Sequence, residues 1–67
     1  MNDRERIGKR ISAIRKKKGI SQAKLSDLTG IAPGNIARIE LGKYSTGIDI
    51  LSKIAKALDY KVDFVKE

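Results

Sequence analysis

Ile7, Ile11 and Ile14 recur at intervals of four and three, so one face of a helix carries all three and the basic residues between them fall largely on the others. The spacing predicts a helix over 3–18. Asn2, with Glu5 three residues on, fits a capping box; Asp3 and Glu5 suit the positive end of the helix dipole, Lys16 to Lys18 suit the negative end, and Gly19 stops it. Ser21 is a good N-cap for a second helix over 22–29, whose inward face is Ala23 or Leu25 with Leu28, and Gly30 supplies the left-handed stop. Pro33 suits the first position of a third helix over 33–41, with Ile36 and Ile39 inward, Ile31 before them and Gly42 after. Only residues 29–32 separate these two helices, a turn tight enough to make them cross steeply. A fourth helix over 48–58 carries Ile48, Leu51, Ile54, Ala55 and Leu58 on one stripe, with Asp49 in its first turn. From Tyr60 the period shortens to two: Tyr60, Val62 and Phe64 alternate with Lys61 and Asp63, predicting a strand over 60–65. A lone strand is unstable, so its expected partner is the same strand of a second subunit across a two-fold axis. The expected fold is all-α, four helices in one domain over 1–67, with a short C-terminal β-strand for dimer pairing.

Composition narrows the chemistry. A chain of 67 residues without Cys or His offers neither a disulfide nor the usual thiolate or imidazole metal site, so no metal and no cofactor is expected. Catalysis would fall to Ser, Lys or a carboxylate, and no motif brings these together, so an enzyme is not expected. No apolar run approaches the roughly 20 residues of a membrane span, and residues 1–10 lack the apolar core of an export signal, so the expected location is the cytoplasm, without a membrane role. Fifteen Lys and Arg against eight Asp and Glu leave a net charge of +7. The excess sits at the start, where residues 1–19 carry eight basic and two acidic side chains. Such a balance attracts polyanions and also keeps a small domain soluble, so it points to nucleic acid only beside a fold argument. Tyr44, Tyr60 and Phe64, the only aromatics, are too few for a base-stacking RNA surface.

The fold argument lies in a set of motifs at fixed spacings. Ile7-Gly8-Lys9-Arg10-Ile11, Ile14-Arg15, Gly19-Ile20-Ser21-Gln22, Leu25, Gly30-Ile31, Ile36, Arg38-Ile39-Glu40, Gly42-Lys43, Leu51 and Ile54-Ala55-Lys56-Ala57-Leu58 together resemble the phage-repressor and Cro-like (Xre-type) helix-turn-helix family over residues 7–59. The resemblance implies a compact lambda-repressor-like domain. It implies a transcriptional regulator, read as a repressor, that binds a pseudo-palindromic operator in double-stranded DNA as a homodimer through its third helix. The tail 59–65 is similar to members whose C-terminal strand pairs in a dimer, including some antitoxins. The alternative reading is therefore an antitoxin whose main partner is a toxin or another protein, with autoregulatory DNA binding.

With Ile36 and Ile39 committed to the core, Pro33, Gly34, Asn35, Ala37 and Arg38 are left to face outward. Asn35 and Arg38 alone have base-reading chemistry, toward adenine and guanine respectively, although Asn35 could instead cap the helix and Arg38 could be a solvated charge. Pro33 and Gly34 complete the base-contacting set. Family members usually place Ser or Thr and long polar side chains where this chain has Ala32, Pro33 and Gly34. Direct readout is thus expected to be sparse, with Gly34 either admitting close approach of the backbone or loosening the helix. By resemblance Gln22 meets a phosphate, Lys43, Tyr44 and Ser45 hold the other side, and Lys24 and Arg10 are lesser candidates. Arg15 and Glu40 occupy the positions of a partly buried structural ion pair.

Overall fold

The computed structural model describes all 67 residues and contains four helices: α1 Asp3–Lys17, α2 Gln22–Thr29, α3 Pro33–Glu40 and α4 Ile48–Ala57. The local signals account for most boundaries. Asn2 caps α1 in a full capping box, its Oδ1 accepting from the Glu5 amide at 2.9 Å while its own amide donates to Glu5 Oε1 at 3.2 Å. Ser21 Oγ accepts from the Lys24 amide at the start of α2, and Gly30 closes that helix in the left-handed conformation. Three other ends share one device. After α1, α3 and α4 the amides of Ile20, Lys43 and Tyr60 reach back to the carbonyls of Arg15, Arg38 and Ala55, the Schellman closure. Gly19 and Gly42 provide the left-handed residue in two of them; in the third it is Asp59, at φ 66°, a stop that composition does not announce.

Ile11, Ile14, Leu25, Ile31, Ile36, Ile39, Ile54 and Leu58 form one core, with Ile7, Ile20, Ile50, Leu51 and Ala57 packed around it. Burial of such side chains contributes about 1.5 to 3 kcal/mol each, the main favourable term in a domain without cross-links. α1 packs on α3, and α2 packs on both α3 and α4. Of the two inward candidates on α2, Leu25 is buried and Ala23 is exposed.

Three expectations are corrected. Leu28 does not reach the core but is 51% exposed, at the end of α2 where it borders an open recess with Lys53, Lys56 and Ala57 of α4. Ile48 is 62% exposed, and Ile50 takes its inward place at the start of α4. Residues 60–65 form no strand, because four helices present no sheet edge inside one chain. The tail instead turns back after Asp59, and Tyr60, Val62 and Val65 border a groove of about 290 Å³ together with Ile7 and Ile11 of α1 and Leu51 of α4. Phe64 stands fully exposed.

Candidate nucleic-acid interface

At about 100° per residue, α3 turns Ile36, Ile39 and Glu40 inward and leaves Gly34 at the centre of the opposite face, flanked by Ala37 and Arg38. Pro33, Gly34 and Arg38 are exposed; Asn35 and Ala37 are half-buried, Asn35 toward the edge beside Ile39. Ala32 holds the N-cap position and no side chain caps α3, so Asn35 is not engaged as a cap and keeps its amide for other partners. The helix start rests instead on Pro33, whose missing N–H and fixed φ suit the first position.

The other end of α3 is bolted down. Arg15 Nε and Nη2 donate to Glu40 Oε2 at 2.7 Å and Oε1 at 3.0 Å, Arg15 Nη1 donates to the Ile20 carbonyl at 3.0 Å, and Gln22 Nε2 donates to Glu40 Oε1 at 3.0 Å. Arg15 and Glu40 are both buried. Burial pushes the Glu40 carboxyl up, but the hydrogen bonds from Arg15 and Gln22 and the charge of Arg15 outweigh it and hold the group below the ordinary glutamate range. The hydrogen bond to Glu40 raises Arg15 above its own ordinary value despite burial. α1, α2 and α3 thus meet at one carboxylate. Gly8 tightens the joint: a Cβ there would lie 2.6 Å from the Glu40 carbonyl oxygen, and one on Gly42 would lie 2.7 Å from Glu5 Cα.

The phosphate candidates divide. Gln22, at the first position of α2, spends one amide hydrogen on Glu40 and retains a second, so its side chain is oriented rather than free to wander. Lys24 and Lys43 are exposed on either side of α3 in sequence, and Tyr44 and Ser45 line a recess of about 150 Å³ together with Arg4 of α1. Arg4 was not among the residues singled out from the sequence; only contact between the chain start and the loop after α3 reveals it. Arg10 does not join them. It sits on the side of α1 opposite Gly8 and lies over the Tyr60 ring at 5.9 Å from the centroid, a cation–π contact with the tail.

A family model described as "HTH_3: Helix-turn-helix" matches residues 11–65. The chain belongs to the HTH_3 helix-turn-helix family. Among the members it resembles, the HTH-type transcriptional regulator PuuR of Escherichia coli is 41% identical over 49 residues, covering 73% of this chain and 26% of PuuR. An SPbeta prophage-derived HTH-type transcriptional regulator of Bacillus subtilis, YonR, is 31% identical over 59 residues, 88% of this chain and 55% of YonR. The chain therefore spans from about a quarter to just over half the length of these curated relatives. The crystal structure of the restriction-modification controller protein C.AhdI from Aeromonas hydrophila superposes with a TM-score of 0.85 at 30% identity, covering 88% of this chain and 89% of that one. The clp gene regulator ClgR from C. glutamicum gives 0.85 at 25% identity, covering 88% and 76%. The four-helix fold is that of HTH_3 transcriptional regulators. No helix of this family member is long and apolar enough to cross a membrane.

Proposed function

We propose that this HTH_3 domain is a sequence-specific double-stranded DNA-binding transcriptional regulator, acting as a repressor, with α3 in the major groove. The observation that carries the reading is the division of α3 into an outward face of exposed Pro33, Gly34 and Arg38 with half-buried Ala37 between them and a buried face fixed to α1 and α2 through Glu40. A groove about 12 Å wide accepts one helix, and a probe of this kind must keep its orientation while its outward side meets base edges. Arg38 and Asn35 carry direct readout. Gln22, Lys24, Lys43, Tyr44 and Ser45, joined by Arg4, hold the phosphates on either side, while the position of Arg10 favours the tail. The regulators among its relatives, a restriction-modification controller protein included, support the same class of activity.

The binding unit is a homodimer on a pseudo-palindrome with half-sites about one helical turn apart, and the exposed apolar tail (Tyr60, Val62, Phe64, Val65) supplies the subunit contact. Selecting bound sites from random duplex DNA tests the reading, with an enriched two-fold-related motif as the expected result. If a dimer makes about eight phosphate contacts, log K against log salt falls with a slope near −7; a flat response overturns DNA binding.

A further inference from the structure

The centre of the outward face of α3 is a glycine that the fold does not require. Gly34 has no left-handed φ, and a Cβ built on it meets nothing within 4 Å. Alanine would fit there and is the better helix former, so glycine weakens an already uncapped helix start. Pro33 on one side and the Ala37 methyl one turn on are also short and apolar. Together they make a strip without any side-chain donor or acceptor, with Asn35 and Arg38 beyond its far edge.

Resting on the DNA-binding reading, we infer that Gly34 is a specificity-determining residue: the bare strip of Pro33, Gly34 and Ala37 lets the α3 backbone seat deep in the major groove and recognises the 5-methyl group of a thymine. Of the four bases thymine alone offers an apolar group on the major-groove edge, and short apolar side chains are its usual partners. The missing Cβ sets the depth. A methyl on residue 34 would occupy the volume the thymine methyl needs and would hold the helix away from the base edges that Arg38 must reach.

The test starts from the operator half-site enriched by the wild-type chain. Each thymine in it is replaced in turn by uracil, which removes the methyl and nothing else, and binding to wild-type and Gly34→Ala is titrated by fluorescence anisotropy alongside thermal melting. One thymine per half-site is expected to weaken binding about five- to tenfold on losing its methyl, the others little. Gly34→Ala is expected to melt at a higher temperature, to bind the intact operator about tenfold more weakly, and to lose the thymine-over-uracil preference at that position. The inference is overturned if Gly34→Ala binds as tightly as wild-type, if every uracil duplex binds like its parent, or if the half-site contains no thymine. A wild-type chain that enriches no sequence overturns this inference together with the reading beneath it; one that enriches a sequence indifferent to its methyl groups overturns this inference alone.

Discussion

The two ends of α3 are built on opposite principles. Its C-terminal end is held by a bidentate ion pair, a Schellman closure and a backbone approach that only glycine at position 8 permits. Its N-terminal end has no side-chain cap, a proline at the first position and a glycine at the second. Within eight residues one end is anchored and the other is left bare, and the exposed Arg38 shares the anchored last turn with Glu40. The anchored end fixes direction, so the outward end is left bare without losing its aim.

The largest test of this contrast is Glu40→Ala, which strands the Arg15 guanidinium among buried groups and is expected to lower stability by about 3 to 5 kcal/mol, read from chemical denaturation. A folded Glu40→Ala with altered sequence preference would break the comparison, because it would make the anchor a reader. The same carboxylate sets an acid limit. Since its pKa is depressed in the folded state, its contribution is complete above the ordinary glutamate value and is lost as pH falls through the lower folded value. The stability curve of Glu40→Gln should therefore lie below wild-type at neutral pH and converge on it in acid. Next comes Gly8→Ala, whose methyl meets the Ile39 and Glu40 backbone and is expected to destabilise by about 1 to 3 kcal/mol. Ala32→Ser sharpens the contrast from the other end: a hydroxyl at the empty N-cap should stabilise by about 1 kcal/mol, raising Tm by roughly 4 to 8 °C. The smallest effect belongs to the exposed Lys18–Asp59 pair beyond both ends, where Lys18→Ala should change stability by under about 0.5 kcal/mol.

What the sequence makes legible follows the range of the interactions. Caps at Asn2 and Ser21 and stops at Gly19, Gly30 and Gly42 act within a few residues, and each reads directly from the chain. The isoleucine stripe of α1 and the core pair Ile36 and Ile39 read equally well, because a wide apolar face leaves them no alternative. Leu28 and Ile48 lie at the margin of their stripes, where burial depends on whether another helix arrives, and periodicity carries no such information. The Tyr60 to Val65 alternation describes a surface that wants a partner edge, which one copy of the chain does not provide. At the candidate interface Arg38 and Gly34 stand outward as expected. The Gln22 contact with Glu40 and the pairing of Arg10 with Tyr60 arise from residues 18 and 50 positions apart and leave no local trace.

One carboxylate oxygen of Glu40 serves donors from two different helices, and this has an evolutionary consequence. Arg15, Gln22 and Glu40 are not three independent choices: exchanging any one leaves an unsatisfied hydrogen-bonding group for the others to expose, so drift at this corner should proceed in concerted jumps. Descendants of the fold are expected either to keep the trio or to replace it as a block with apolar side chains of matching volume, while the bare end of the same helix is free of that constraint.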